Sequence, residues 1–290
     1  MGFNMIVLVK QVPDTKNVTG DAMKPDGTVN RAALPAIFNP EDLNALEEAL
    51  KIKEQYGGHI TVITMGPQSA TAVLKEALYR GADDVVLLSD RKFAGADTLA
   101  TSYVLSLAIK KIGTFDLIFC GRQAIDGDTA QVGPQTAEKL GVDQITCVDR
   151  IESLTKSKIV AERSVDGGYE IIEGKLPILL TITNEANTPR PPSAKKVLAF
   201  RNILTDLDTK DYDEEYMNTG RTGRKNYRIK VWDHHEIGAE LEKCGLAGSP
   251  TKVKKVDSVV LEAGDSMKIE HSKEALKPII QELMDEHIIG

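Results

Sequence analysis

The sequence predicts an α/β protein built on a doubly wound parallel sheet, with an antiparallel extension and an extended C-terminal arm. Three observations lead to this prediction. Short apolar runs alternate with helical patterns between residues 5 and 140, three β-rich runs follow residue 144, and apolar residues beyond residue 200 are scattered. We therefore expect one α/β domain over residues 1–200 and a C-terminal arm over residues 201–290.

The alternating part begins with "MIVLVK" (5–10), a continuous apolar run that is typical of a central parallel strand. The helix predicted over residues 39–58 has Asn39 as a candidate cap, Pro40 in its first turn and Gly57-Gly58 as its stop. The other predicted elements up to residue 140 are strands at 60–64, 85–88 and 116–120 and helices at 69–82, 97–113 and 130–140.

The character of the sequence changes after residue 144. The runs 144–154, 158–165 and 169–174 predict antiparallel strands, and "LPILLTIT" (176–183) predicts a return to the core. The tail ends in a predicted amphipathic helix at 272–288. An arm that buries little of its own surface needs a partner on which to fold. The alternative for this tail is a second small domain of low regularity.

Composition excludes several classes of protein. The chain has 290 residues, 41% of them apolar, and a net charge of −7, which argues against a sequence-independent grip on nucleic acid. No apolar run approaches the roughly 20 residues that span a bilayer, and no signal-peptide pattern is present, so a cytoplasmic protein is expected. The three scattered cysteines exclude a self-contained four-cysteine cluster, and the five histidines show no metal-ligand spacing. No catalytic triad or carboxylate pair is evident, so no catalytic residue is assigned.

Ligands of parallel α/β sheets bind at the carboxyl ends of the strands. Three segments end predicted strands: Lys10–Pro13, Thr64–Pro67 and the glycine-rich "GRQAIDGDTAQVGP" (121–134). Together with the start of the first helix, Asn39–Asp42, they should meet at one edge of the sheet. Their glycines, Gly121, Gly127 and Gly133, would let a ligand approach the main chain.

The helix that follows this glycine-rich stretch offers a phosphate site at its N-terminus, where backbone N–H groups are free. We expect Asp128 or Thr129 to cap that helix. Lys10 is either a phosphate ligand or a solvated lysine, and Asp126 is either a ribose ligand or a capping residue. Because no Gly-x-Gly-x-x-Gly or Walker motif is present, plain turns remain an equal alternative on spacing alone.

Seven segments together resemble the β subunit of electron-transfer flavoproteins, and "GRQAIDGDTAQVGP" is the most specific of them. They cover most of residues 1–200, whereas the tail resembles the family in layout more than in wording. The matching segments are "VLVKQVPD" (7–14), "FNPEDLNALEEALKIKE" (38–54), "TMGP" (64–67), "ALYRGADDVVLL" (77–88), "DLIFCGRQAIDGDTAQVGPQTAEKLG" (116–141), "DGGYE" (166–170) and "LPILLTIT" (176–183).

The resemblance implies a nucleotide-binding, Rossmann-like domain in a heterodimer with an α subunit, around which the C-terminal arm wraps. It also implies a set of nucleotide contacts. These are Leu8, Lys10, Gln11, Asn39, Pro40, Glu41, Asp42, Met65, Gly121, Arg122, Gln123, Ala124, Asp126, Gly127, Asp128, Thr129, Ala130, Gln131 and Val132.

Family members hold either AMP as a structural ligand or a second FAD. AMP-type members typically read Lys-Arg-x-Ile-Asp after the first strand, Asn-Pro-Phe at the first helix and Asn-x-Thr-Gly-Gln in the phosphate loop. This chain departs from all three patterns at residues 10–14, 39–43 and 129–134, and resembles the electron-bifurcating group. Resemblance to that group implies that this chain binds an FAD. This FAD would take hydride from NADH and send electrons to the α-subunit FAD and to ferredoxin or flavodoxin. The alternative is a simple electron carrier that holds AMP.

Residues 184–196, "NEANTPRPPSAKK", lie where the family has its recognition loop for a flavin-dependent dehydrogenase. A proline-stiffened linker is the other interpretation of this composition. A rival from another class is a non-redox nucleotide module, which would also use glycines at strand ends. That module would bind ATP and would need no α subunit.

Overall fold

A nine-stranded sheet organises the part of the chain that the computed structural model describes, residues 2–14, 34–208, 227–251 and 272–285. Its strand order is β11-β5-β4-β1-β6-β10-β7-β8-β9, and a separate pair is formed by β2 and β3. The strands are β1 (Phe3–Leu8), β2 (Gln11–Pro13), β3 (Ala36–Phe38), β4 (Gly58–Met65), β5 (Asp84–Leu88), β6 (Leu117–Gly121), β7 (Asp143–Leu154), β8 (Lys158–Val165), β9 (Gly168–Lys175), β10 (Ile178–Ile182) and β11 (Lys230–Trp232).

Helices cover both faces of the parallel part of this sheet. Met5 and Val7 of β1 pack in the core with α1 and α2, whereas the alternate residues Ile6 and Leu8 pack with α3 and α4. This alternation explains why the strand sequences are continuously apolar. The described helices are α1 (Pro40–Tyr56), α2 (Thr71–Arg80), α3 (Thr98–Ile112), α4 (Val132–Leu140), α5 (Ala194–Phe200) and α6 (Lys273–Asp285).

The predicted doubly wound α/β fold is confirmed. Strands β11, β5, β4, β1, β6, β10 and β7 pair in parallel. Helices α1, α2, α3 and α4 lead into β4, β5, β6 and β7, respectively. Helix α1 ends at Tyr56 because Gly57 follows with a φ of 75°, a left-handed conformation that suits glycine. Gly81 ends α2 in the same way, with a φ of 138°.

The antiparallel extension is also confirmed. Strands β7, β8 and β9 form consecutive antiparallel pairs, while the first half of β7 still pairs in parallel with β10. All five residues of β10 are buried, as the predicted return to the core requires. After β1 the chain forms a short antiparallel pair, β2 with β3. The residues between Asp14 and Leu34 lie outside the described residues.

The sequence did not predict β11, which comes from the C-terminal part of the chain. Its three residues pair in parallel with Val86–Leu88 of β5, and the preceding Ile229 is fully buried. Two carboxylates of the α/β domain hold the segment that follows β11. Asp90 pairs with His234. Asp97 caps α3 and also accepts a hydrogen bond from the hydroxyl of Thr251 at 2.7 Å. Residues 227–251 therefore lie against the α/β domain.

The remainder of the predicted arm is described only in part. Helix α6 spans most of the predicted terminal helix, and residues 209–226, 252–271 and 286–290 lie outside the described residues. The division into a domain over 1–200 and an arm over 201–290 stays a prediction. Of the helices described, none is both long enough and apolar enough to cross a membrane.

Candidate functional site

A buried carboxylate joins the three elements that meet at the carboxyl edge of the sheet. Asp42, in the first turn of α1, accepts hydrogen bonds from the backbone N–H of Lys10 at 2.8 Å and of Gly121 at 2.9 Å. Lys10 follows β1 and Gly121 ends β6, so the expected meeting of these segments is confirmed. Burial raises the pKa of Asp42 to about 7, although hydrogen bonds, including those from Gly121 and Lys10, act in the opposite direction.

The first turn of α1 also holds the start of the glycine-rich loop. Glu41 accepts a hydrogen bond from the backbone N–H of Gln123 at 2.9 Å and pairs with the Arg122 guanidinium at 2.9 Å. The Asn39 amide donates to the carbonyl of Gln123 at 2.9 Å and accepts from the N–H of Ile125 at 3.1 Å. The predicted position of Asn39 as the cap of α1 is confirmed, although no side-chain capping bond is formed. Its side chain bonds to the loop instead.

Lys10 reaches across the edge of the sheet to the same loop. Its ammonium lies 2.7 and 2.8 Å from the two carboxylate oxygens of Asp126. The Lys10 side chain is 47% exposed, so the cation is accessible to a ligand from solvent. This ion pair holds the Lys10 ammonium beside the loop, where its donor that is not used by Asp126 could contact a phosphate group.

The second half of the loop presents backbone N–H groups. Asp128 and Ala130 have φ values of 48° and 51°, in the left-handed region that non-glycine residues rarely adopt. Gln131, next to Ala130, is right-handed, and alternation of the two conformations turns successive N–H groups toward one side, as in an anion-binding nest. The N–H groups of residues 129–133 donate no hydrogen bond to any residue in the described ranges. They are therefore available to an anionic ligand.

Helix α4 begins later than predicted and has a different cap. Its first residue is Val132 and its N-cap is Gln131, which makes no side-chain capping bond. The expected capping by Asp128 or Thr129 is therefore wrong. Because no side chain caps this end, the positive end of the helix dipole faces the same nest of N–H groups.

The three glycines of the loop serve different purposes. A Cβ atom at Gly121 would lie 2.6 Å from a carboxylate oxygen of Asp42 and 2.8 Å from its backbone nitrogen. One at Gly133 would lie 2.8 Å from both Cys120 Sγ and Thr181 Cγ2. Gly127 alone of these three has open space around it. Close packing of α1 and α4 thus requires two of the glycines, whereas Gly127 leaves open space beside the loop.

The other expected contact residues differ in their surroundings. The carbonyl of Ala124 accepts hydrogen bonds from the N–H groups of Gly127 and Asp128, which closes the turn before the nest. Gln11 and Pro40 line a cavity of about 370 Å³ between the β2–β3 pair and helices α1 and α2. Leu8 is buried in the core, and Met65, the last residue of β4, packs against that core.

Sequence reasoning missed how α1 anchors residues 184–196. The Arg190 guanidinium forms two hydrogen bonds of 2.9 Å with the carboxylate of Glu47 and a further pair with Glu54. Asn187 donates to Glu48 at 2.8 Å and accepts from the side chain of Asn44 at 2.7 Å through its carbonyl. In the sequence, Glu47 and Glu48 were the only signal of this anchoring. Both lie on the buried side of α1, and a buried carboxylate needs a hydrogen-bond or ion-pair partner.

The family comparison and the individual relatives of this chain agree with each other. The family described as "Electron transfer flavoprotein domain" matches residues 26–201. The chain is 43% identical to "Electron transfer flavoprotein subunit beta" of Clostridium acetobutylicum, over 99% of this chain and 100% of the relative. It is 40% identical to "Caffeyl-CoA reductase-Etf complex subunit CarD" of Acetobacterium woodii, over 98% and 99%. It is also 40% identical to "Acryloyl-CoA reductase electron transfer subunit gamma" of Anaerotignum propionicum, over 98% of both chains.

The fold and the site at the carboxyl edge of the sheet define an α/β protein of the class that binds ligands at the carboxyl ends of parallel strands. The chain belongs to the electron transfer flavoprotein family, as a β subunit. Membership implies a flavin or AMP ligand and an α-subunit partner.

Proposed function

We propose that this chain binds FAD in an electron-bifurcating flavoprotein. In this proposal the FAD accepts hydride from NADH, and electrons then go to the FAD of the α subunit and to ferredoxin or flavodoxin. The observation that carries the proposal is the loop at residues 121–133. It combines a nest of available N–H groups, an uncapped helix N-terminus and the nearby ammonium of Lys10. These are the groups that bind a pyrophosphate.

The residues of the chain fit a dinucleotide with anionic phosphates. The N–H groups of residues 129–133 would hold phosphate oxygens, and Lys10 would add a charge-assisted contact. Glu41 and Asp42 hold the loop in place through Gln123 and Gly121 rather than contacting the phosphates. When bound, FAD supplies both the two-electron and the one-electron steps. The protein contributes position and charge.

Two considerations favour FAD and bifurcation over AMP. The chain departs from the AMP-type patterns at all three nucleotide-contact segments. In addition, one relative is named as a subunit of a caffeyl-CoA reductase-Etf complex and another as an electron transfer subunit of acryloyl-CoA reductase, which suits a protein that donates electrons to such a reductase. The alternative is a non-bifurcating β subunit that holds AMP as a structural ligand.

The test is the nucleotide content of the heterodimer after co-purification with the α subunit. Acid release followed by absorbance and chromatography should give two FAD per heterodimer, and the heterodimer should reduce ferredoxin or flavodoxin with NADH when a dehydrogenase acceptor is present. One FAD together with released AMP would establish the alternative and defeat the proposal.

Titration of the flavin-depleted heterodimer with FAD tests Lys10. Lys10→Gln should weaken FAD binding in this chain about tenfold, because a charge-assisted contact is lost, while the FAD of the α subunit stays. Lys158→Gln is a matched control, since its side chain is 48% exposed and forms an ion pair of the same 2.7 Å length on the distant β8–β9 extension. Full FAD affinity in Lys10→Gln would contradict the assignment of this lysine.

We further propose that residues 184–196 dock the partner dehydrogenase. Arg190 anchors this segment to α1 through Glu47 and Glu54, which also raise the pKa of its guanidinium. The segment leads into α5, where Leu198 is 65% exposed. A fixed segment followed by an exposed apolar side chain suits protein recognition, because little conformational entropy is lost on binding.

Arg190→Ala is expected to raise the Michaelis constant of the dehydrogenase for this flavoprotein about tenfold with little change in FAD content. The released segment would have to be ordered again on binding, and each lost charge-assisted bond costs about 1.5–3 kcal/mol. The measurement is steady-state electron transfer to the dehydrogenase.

The control for this prediction is Arg150→Ala, which also removes an arginine paired with two glutamates, here Glu152 and Glu162 on the antiparallel extension. An unchanged Michaelis constant in Arg190→Ala would refute the anchoring role. A similar rise in both variants would show a general effect of charge.

A further inference from the structure

A second cavity lies at the opposite edge of the sheet from the glycine-rich loop. It has a volume of about 460 Å³, within the range of small-molecule sites. Four of its lining residues, Asn4, His59, Asp84 and Lys230, stand at or next to the first positions of β1, β4, β5 and β11. It is therefore separate from the proposed nucleotide site, which lies where parallel strands end.

The cavity has an apolar wall. Ile6 and Val86 contribute from the sheet, Ile112 from the end of α3, and Trp232 from β11. Trp232 is the only tryptophan of the chain. An indole ring beside branched aliphatic side chains gives a surface on which a flat apolar group can pack.

Two lysines and one carboxylate are among the residues that line this cavity, in a chain with a net charge of −7. Lys111 and Lys230 line it together with His59, and Asp84 is the one lining carboxylate among the described residues. Asp84 lies 2.8 Å from Nε2 of His59, and beyond the lining Asp83 pairs with Lys53. Lys111 and Lys230 are therefore the lining side chains that could hold an anion.

Lys111 is already positioned for such a ligand. Its ammonium donates to the carbonyl of Glu236 at 2.7 Å and lies 4.5 Å from the centre of the Trp232 ring. An ammonium group has three donors, so donors remain after this contact. The two existing interactions hold the lysine beside the apolar wall.

We propose that this cavity binds a small molecule that carries one anionic group on a flat apolar body. Lys111 and Lys230 hold the anion, and Trp232 packs against the apolar body. Because Lys230 and Trp232 belong to β11, the ligand binds only when this strand is paired with β5. Binding therefore stabilises residues 227–251 on the sheet, which links a small ligand to the C-terminal part of the chain.

The test uses the heterodimer with fluorotryptophan incorporated and fluorine NMR as the readout. The Trp232 resonance is the one missing from Trp232→Phe. Benzoate and phenyl phosphate should each be tested, since they separate a carboxylate from a phosphate, and at least one should shift this resonance saturably. Benzamide, which has the shape of benzoate without its charge, should bind at least about tenfold more weakly. The backbone amides of residues 230–232 should exchange more slowly with the bound probe.

Lys230→Gln should lower the affinity for the anionic probe about tenfold, because a charged hydrogen-bond donor is lost. Lys110→Gln is the matched control, since Lys110 neighbours Lys111 on α3 but bonds to the carbonyl of Lys139 outside the cavity. No saturable shift with either anion, equal binding of benzamide, or equal weakening by both lysine variants would overturn the proposal. None of these outcomes depends on which nucleotide the chain holds.

Discussion

Gly121→Ala is expected to lower the free energy of unfolding by about 3 kcal/mol and to abolish nucleotide binding by this chain. The new Cβ atom would lie 2.6 Å from an Asp42 carboxylate oxygen, 2.8 Å from the Asp42 nitrogen and 2.8 Å from the carbonyl carbon of Glu41. Two of these three atoms are backbone, so a side-chain rotation cannot relieve the clash. The first turn of α1 would have to move away from β6.

That movement would also disrupt the glycine-rich loop. Glu41 and Asp42 bond to the loop at Gln123 and Gly121, so displacing α1 breaks both contacts. The measurements are urea unfolding and nucleotide content of the purified heterodimer. Gly127→Ala is the matched control, because no atom lies within 4 Å of its Cβ position. Wild-type stability in Gly121→Ala would contradict the close packing described here.

Asp42→Ala is expected to cost about 4 kcal/mol of unfolding free energy at acidic pH. It leaves the part-buried N–H group of Lys10 and the buried N–H group of Gly121 without an acceptor, and a buried group left in this way costs about 1–3 kcal/mol. Asp42→Asn keeps one acceptor oxygen and should cost less. The two variants differ in hydrogen bonding while both remove the ionisable group.

The effect of Asp42→Asn should depend on pH. The folded pKa of Asp42 is raised to about 7 by burial, from an ordinary value of 3.8. Between these two values the folded protein keeps the proton and the unfolded chain loses it, so raising the pH destabilises the wild type by up to about 4 kcal/mol. The variant has no such contribution. The difference in free energy of unfolding between the wild type and Asp42→Asn should therefore become smaller as the pH is raised from about 5 to about 8.

Urea unfolding of both proteins at the two pH values measures this difference. Glu54 provides a contrast, since Arg190 lowers the pKa of that exposed carboxyl and its effect appears only in acid. A pH-independent difference between wild type and Asp42→Asn would mean that Asp42 stays ionised throughout this range.

Much of the fold follows from local sequence patterns. The apolar runs of β1, β4, β5 and β6 and the glycines after α1 and α2 predict strands and helix ends because those preferences act within a few neighbouring residues. The alternation of strand and helix predicts the parallel sheet, and the carboxyl-edge rule predicts that Lys10, Asp42 and Gly121 come together. The family resemblance likewise follows from seven sequence segments, of which "GRQAIDGDTAQVGP" is the most specific.

The tertiary structure decided the details of the site. Asn39 has the local signature of a helix cap, yet its side chain bonds to Gln123 and Ile125 because folding brings that loop against α1. Gly121 reads locally as room for a ligand, whereas its neighbour in space is Asp42. Neither partner is visible to a pattern that spans a few residues.

Long-range pairing decided the rest. Arg190 and Glu47 are 143 residues apart in the chain, and β11 joins β5 from the far end of the sequence. The sequence by itself therefore determined most elements of residues 1–183, their order along the chain and the family. Only the folded chain determined which polar groups satisfy one another, because a buried charge or N–H group takes whichever partner the packing places within hydrogen-bond distance.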